Sequence, residues 1–465
     1  MVRKSPKPPT KRSSSTPRSR PVTSSFRPAK PMPVLQAHAP DFLARLRAFV
    51  GNGEASTDVR ATVAGIIADV RDRGDAAVLA YTKKFDHVQL TAKQLRIPET
   101  RLKQAAQQLA PAKRKAINEA ARCVTDFHRR TLPKGWSAKN PHGATVGERH
   151  HAIRRCGLYI PGGQVPLVST VLMTALPAKV AGVPELCACT PPGPDGQINP
   201  DILAALYLCG IKEVYAVGGV QAIAALALGT KSIPAVDKVF GPGNAFVTEA
   251  KRQLFGVVGV DLLPGPSEVM IIADRTANPV FVGADLCAQA EHGSGKEKLY
   301  LVCDQAAFAD RCLASAHAQA LTLSHGAKIT KALEKMTCVI LVRKISEAAR
   351  VANLVAPEHL ELMVAKREEA KLSAAITTAG ALLLGHETPT VLGDFTAGPS
   401  HTLPTGGTGR FFSGLRVADF LRRTSFVRYD QRSLAKAASV VAAFAGMESL
   451  DAHGRSLTVR LDPKA

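Results

Sequence analysis

Val214-Tyr-Ala-Val-Gly-Gly-Val-Gln-Ala-Ile-Ala-Ala-Leu226 holds a strand, a turn and the start of a helix in one short run. The four residues Val214 to Val217 are all apolar, as in a strand covered on both faces. The glycine pair then breaks the strand, and an alanine-rich apolar run follows that suits a buried helix. The same alternation extends in both directions. Upstream lie Leu158-Tyr-Ile160, a helix near Thr170 to Ala181, Leu186-Cys-Ala-Cys189 and a helix from about Pro200. Downstream come a helix from Gln221, Val239-Phe240, a helix from Asn244 and Val260-Asp-Leu-Leu263. A second series runs through Val269-Met-Ile-Ile272, Leu299-Tyr-Leu-Val302, Val339-Ile-Leu-Val342 and Ala381-Leu-Leu-Leu384. Repeated strand–helix alternation predicts mostly parallel sheets with helices on both faces, so the expected class is α/β with two related sheet domains. Before them, Asp41 to about Leu132 reads as helical, with apolar positions at three and four in Val59-Arg-Ala-Thr-Val-Ala-Gly-Ile-Ile-Ala-Asp-Val70.

The chain of 465 residues has room for two or three domains, with 46% hydrophobic and 21% charged residues. It holds no apolar run of the roughly 18 residues that a membrane-spanning helix needs. The formal charge of +22 is uneven: residues 1–40 hold nine Lys/Arg and no Asp/Glu, leaving +13 for the remainder. That proline-rich tail has little to bury and is expected to be disordered. It lacks the apolar core of a secretory signal, so it reads as a cytoplasmic tail, with a plastid transit peptide as the alternative. The body has one tryptophan, Trp136, and neither zinc-finger spacing nor an aromatic-interleaved basic stretch, which argues against nucleic acid as the main ligand. Nine scattered cysteines without C-x-x-C spacing read as reduced thiols packed in the core.

Several residues could carry chemistry. In Asn278-Pro-Val-Phe-Val-Gly-Ala-Asp-Leu-Cys-Ala-Gln-Ala-Glu-His292, an N-cap and a proline open a helix on which Gln289 and His292, three apart, share a face. One metal ion could touch both, and two more ligands would complete a site. Glycine turns follow Tyr159, Val217 and Phe240, but no G-x-G-x-x-G occurs, so dinucleotide binding and plain tight turns both stand. Glu358 and His359 adjoin in Ala356-Pro-Glu-His-Leu-Glu-Leu-Met363. On an extended backbone they would point apart, so they share a site only if the chain turns there. Asp394 and His401 lie in a polar loop stiffened by Pro399 and Pro404; an Asx-turn and a packing role are the plainer readings. Glu448 and His453 in the tail read as solvent-facing when taken alone.

Taken together, these stretches resemble the histidinol dehydrogenase family. The matching segments are Gly157-Leu-Tyr-Ile-Pro-Gly-Gly163, Ser169-Thr-Val-Leu-Met173, Pro177-Ala-Lys-Val-Ala-Gly182, Val217-Gly-Gly-Val-Gln-Ala-Ile-Ala-Ala-Leu226, Phe240-Gly-Pro-Gly-Asn244, Gly265-Pro-Ser-Glu-Val269, Gln289-Ala-Glu-His292, Ala356-Pro-Glu-His-Leu-Glu-Leu362 and the Gly393 to Thr405 loop. They occur in family order from about residue 41 onward. The resemblance implies an oxidoreductase that takes L-histidinol through L-histidinal to L-histidine with two NAD+, ending histidine biosynthesis.

It further implies one Zn2+ per subunit, held by Gln289, His292, Asp394 and His453. Glu358 and His359 would be catalytic. Ser267 and Glu448, with His359 and the zinc ligands, would contact substrate, and Tyr159, Gln221 and Asn244 would contact NAD. The expected architecture is two incomplete Rossmann-like domains in a homodimer whose shared active sites are completed by a tail from the partner subunit. The implied division is residues 1–40 as tail, 41–158 as a helical region contributing to the first α/β domain, 159–266 as an inserted Rossmann-like domain, 267–395 as the remainder of the first domain, and 396–465 as a dimer-exchanged loop and tail. Phe395, where tyrosine is frequent, and Ser400, where asparagine is common, depart from the family pattern without touching a proposed ligand. A relative oxidising another alcohol and a zinc hydrolase are the alternatives.

Overall fold

A computed structural model describes residues 33–51, 56–162, 166–292 and 295–462; most of the basic tail lies outside them. In chain order the strands are β1 (Val34–Gln36), β2 (Arg96–Ile97), β3 (Trp136–Lys139), β4 (Thr145–Ala152) and β5 (Arg155–Tyr159). Next come β6 (Glu185–Thr190), β7 (Glu213–Ala216), β8 (Lys238–Phe240), β9 (Gly259–Val260) and β10 (Glu268–Ala273). The last are β11 (Lys298–Cys303), β12 (Thr337–Leu341), β13 (His359–Met363), β14 (Ala381–Leu384) and β15 (Leu421–Arg428).

Both expected α/β sheets form. The first runs β1-β12-β11-β10-β13-β14, and every described pairing in it is parallel. The second runs β2-β7-β6-β5-β8-β9, parallel except for the antiparallel edge strand β2. Each sheet has an apolar core on both faces, which is why its central strands read as unbroken apolar runs rather than alternating ones. All six residues of β10 are buried, Glu268 among them.

Three features depart from the expected layout. Val34–Gln36, inside the stretch assigned to the tail, is strand β1, because its Leu35 side chain is buried against the face that also holds Tyr300 and Ile340. A boundary at residue 158 would cut β5, which pairs with β6 and β8 as part of the second sheet. The early helices also belong there: Val63, Ile66 and Val78 pack with Tyr159 and Val220, while Leu102, Ile117 and Val124 pack with Leu158 and Ile202. A small antiparallel sheet, β15-β4-β3, has no counterpart in the sequence reading, since its strands are mostly exposed and carry little apolar signal.

The chain then ends in two helices, Gln431–Met447 and Asp451–Leu461, which expose Val440, Phe444 and Met447. All nine cysteines are free thiols, and all but Cys123 are buried. No helix among the described residues is long and apolar enough to cross a membrane.

Candidate functional site

At the C-terminal ends of β5 to β8, glycine turns and helix starts converge. The Tyr159 hydroxyl, at the end of β5, accepts a hydrogen bond from Gly219 N at 3.1 Å. Gly219 opens the helix Gly219–Leu228 with φ +66°, and a Cβ there would stand 2.9 Å from Gln221 Oε1. Gln221 is 1% exposed, yet neither polar atom of its amide has a partner among the described residues. Asn244 caps the helix Ala245–Leu254, its side-chain oxygen accepting from Phe246 N and Val247 N at 3.0 and 3.1 Å. Its amide nitrogen can therefore serve as an outward donor. A buried unpartnered amide beside helix N-termini and close backbone suits a phosphorylated dinucleotide.

Gly241 sets the turn between β8 and Asn244. Its φ is +116°, and an added Cβ would lie 2.1 Å from Tyr159 O, so only glycine fits. Its N–H donates to Asp261 Oδ2 at 2.8 Å and its carbonyl accepts from Lys251 Nζ at 2.9 Å, while Lys251 and Asp261 pair with each other at about 1% side-chain exposure. This clamp also explains why the run Val260-Asp-Leu-Leu263 stops being a strand at Val260: Asp261 turns inward to serve Gly241. Removing the cation would strand a buried carboxylate. Lys251→Met is expected to lower stability by about 3–5 kcal/mol, read as a shifted urea midpoint, and an unmoved midpoint would refute the clamp.

The other half of the site lies at the N-terminal ends of β10 and β13. The chain does turn before Glu358: Ala356 adopts φ +51° after the helix Ala348–Val355, and the Glu358 and His359 side chains meet rather than diverge. His359 Nδ1 lies 3.6 Å from Glu358 Oε2, and Nε2 lies 3.4 Å from Asp394 Oδ1. Both members of the pair are buried. Glu358 Oε2 accepts from Ser267 Oγ at 2.6 Å and from Glu268 N at 2.8 Å.

Burial opposes a charge on the His359 ring, but Glu358 and then Asp394 outweigh it and hold its pKa up at about 9. Burial raises the Glu358 carboxyl, with His359 and Ser267 pulling the other way. For Asp394 burial is overcome by His359, and its pKa stays below the usual range. The result is an imidazole held between two carboxylates that favour its protonated form, placed to pass a proton within the site.

Asp394 sits not in an Asx-turn but on the short helix Thr390–Phe395. Glu361, two residues after His359 on β13, anchors the start of that helix by accepting from Thr390 N at 2.7 Å and Thr390 Oγ1 at 2.6 Å. Gln289 is buried near the end of the helix Pro279–Ala290, with its amide nitrogen unpartnered among the described residues. His292 lies not on that helix but in the turn two residues past its end; its Nδ1 contacts Gln289 O at 3.1 Å, and with Nδ1 donating, Nε2 becomes the ligating atom. His292 is near enough for its charge to act on Glu358, Asp394 and His401.

Gln289, His292 and Asp394 thus offer amide, imidazole and carboxylate donors that suit zinc, one short of four. Among the described residues no group of three or more His, Cys, Asp or Glu side chains is placed to share an ion. Glu448 and His453 are not brought to the site within the chain: Glu448 caps the helix Gln431–Met447, His453 lies on the next helix, and both are exposed.

Sequence reading missed Glu268, whose pKa burial and then Glu358 push to about 8; it lies in the quoted Gly265-Pro-Ser-Glu-Val269 segment but looks like an ordinary strand residue. It also missed Thr170, whose hydroxyl stands 3.2 Å from His401 Nε2 and ties the Asp394 loop to the helix Val168–Val180. Burial keeps His401 neutral, its pKa down at about 4.

Comparison with known proteins gives a consistent result. The histidinol dehydrogenase family model matches residues 51–461. A histidinol dehydrogenase of Ruegeria pomeroyi is 45% identical over 429 residues, 92% of this chain and 98% of its own. One from Gluconobacter oxydans is 43% identical over 419 residues, 90% of this chain and 96% of its own. The crystal structure of histidinol dehydrogenase from Elizabethkingia anophelis superposes with a TM-score of 0.87 at 34% identity, covering 93% of this chain and 98% of that one.

Proposed function

The chain belongs to the histidinol dehydrogenase family, NAD-dependent oxidoreductases of histidine biosynthesis, and we propose that it oxidises L-histidinol to L-histidine through L-histidinal with two NAD+. The observation that carries this reading is the buried His359, held between Glu358 and Asp394 with the His292 charge acting on both carboxylates, in a chain whose second sheet offers the glycine turns and the unpartnered Gln221 amide. His359, in its neutral form, accepts the hydroxyl proton as a hydride leaves the carbinol carbon for the first NAD+, giving the aldehyde and one NADH. Glu358, fixed by Ser267 and Glu268, takes a proton from water as its oxygen adds to the aldehyde. The hydrate then gives its hydride to a second NAD+ and leaves as the carboxylate.

Gln289, His292, Asp394 and His453 would hold zinc, whose contribution when bound is to grip and orient the nitrogen-rich substrate. Ser267 and Glu448 would complete the substrate contacts, while Tyr159, Gln221 and Asn244 would seat the dinucleotide. Because His453 and Glu448 sit on an exposed helix pair that also presents Val440, Phe444 and Met447, they are assigned to the active site of a partner subunit in a homodimer.

Counting NADH against histidinol consumed tests the assignment. About two per alcohol are expected, since each nicotinamide takes two electrons. One NADH with aldehyde accumulating would restrict the enzyme to an alcohol dehydrogenase step, and no NADH would leave a zinc hydrolase or a different alcohol as the substrate class.

A further inference from the structure

We propose that Asp86 is an additional dinucleotide-binding residue, whose carboxylate accepts hydrogen bonds from cofactor ribose hydroxyls and selects against a 2′-phosphorylated dinucleotide. The inference rests on the reading of Tyr159 and Gln221 as cofactor contacts, and it starts from topology. The helix Asp75–Phe85 begins with Asp75 bonded to Ser232, through Oδ2 to Ser232 Oγ at 2.7 Å and Oδ1 to Ser232 N at 3.2 Å. Ser232 lies just past the C-terminal end of the helix Gly219–Leu228. The first helix therefore starts at the far end of the second, and Ala77 and Val78 pack in the same core as Tyr159, Val220 and Ile223. Its own far end is closed by Asp86 N donating to Thr82 O at 2.9 Å, and Asp86 is near enough for its charge to act on Tyr159, whose hydroxyl accepts from Gly219 N. Val88 confirms the level in the fold: its Cγ1 would be 3.3 Å from a Cβ on Gly196, in the loop after β6. Asp86 thus stands at the C-terminal edge of the second sheet, on the face that carries Tyr159.

At that place Asp86 is chemically unfinished. Its Oδ2 is buried without a hydrogen-bond partner among the described residues, and the chain turns sharply after it, His87 having φ +58°. Burial pushes its pKa up to about 6, and its charge acts on the Tyr159 hydroxyl. A buried acceptor with no donor costs stability, so the geometry favours a ligand that brings donors. The neighbouring Gln221, 1% exposed, is likewise unpartnered at both amide atoms, so two polar side chains flank Tyr159 with their hydrogen-bonding capacity unspent. Phosphates would meet repulsion from the carboxylate. Ribose hydroxyls supply the missing donors, and a carboxylate so placed disfavours the extra phosphate of NADP.

The test uses Asp86→Asn, which keeps the shape, and Asp86→Ala, with thermal melts to verify folding. NADH binding to the full-length, zinc-loaded protein is followed by fluorescence titration, alongside KM for NAD and for NADP. Both variants are expected to bind NADH about tenfold or more weakly, the loss typical of hydrogen bonds to a charged group, while NADP loses less or gains. Zinc content should hold. Unchanged NADH affinity in the folded variants, or equal weakening of both dinucleotides, overturns the proposal. Absence of NADH binding in the unsubstituted protein would instead remove the cofactor reading on which it rests.

Discussion

The His359→Asn enzyme is expected to turn over about 10²–10⁴-fold more slowly than the unsubstituted one, the usual cost of losing a positioned general base. Asparagine is close in size and can keep a polar contact near Glu268 O, which His359 Nδ1 meets at 3.3 Å. It cannot accept a proton near neutral pH. The loss should therefore fall on kcat, with the protein folded and its zinc content unchanged. Glu358→Gln should also be slow, for a different reason: the amide still reaches Ser267 and Glu268 N but carries no charge to activate water or to sustain the basicity of His359. Steady-state rates with metal analysis decide the matter. Turnover near the unsubstituted level in either variant would remove His359 and Glu358 from the mechanism, whatever their burial.

A second large effect concerns the origin of the fourth ligand. Asp394→Ala and His453→Ala should each be nearly inactive as pure proteins, because each removes one donor from every site. If the tail serves the partner subunit, unfolding and refolding the two together should restore activity. A mixed dimer then combines the intact body of the His453→Ala chain with the intact tail of the Asp394→Ala chain at one of its two sites, giving about a quarter of full activity for random pairing. Recovery fails if His453 serves its own chain, since no mixed pairing then holds a complete ligand set. The exposed Val440, Phe444 and Met447 on the helix before Glu448 favour recovery, being apolar surface that a second copy would cover.

The two predictions differ in what the sequence offered. Glu358 and His359 stand side by side in Ala356-Pro-Glu-His-Leu, so their pairing was legible. Their ability to face one site was not, because it depends on the positive φ of Ala356. Asp394 could be picked out as a candidate ligand, yet its place 3.4 Å from His359 comes from Glu361 anchoring a short helix, a contact across 29 residues that no local pattern encodes.

The sequence by itself determined the two parallel sheets, since strands covered on both faces must be apolar throughout and that texture survives in the one-dimensional string. It also determined the helix Pro279–Ala290 that carries Gln289, through its N-cap and its proline, although His292 falls two residues past its end. Only the tertiary structure decided that the helices of residues 57–130 cover the second sheet, that Val34–Gln36 is a strand, and that Lys251 and Asp261 clamp Gly241. Those outcomes turn on which apolar faces find each other and on which buried charges find partners. Both are long-range matches of shape and charge, and the residues that make them look locally like any amphipathic helix, short apolar run or surface ion pair.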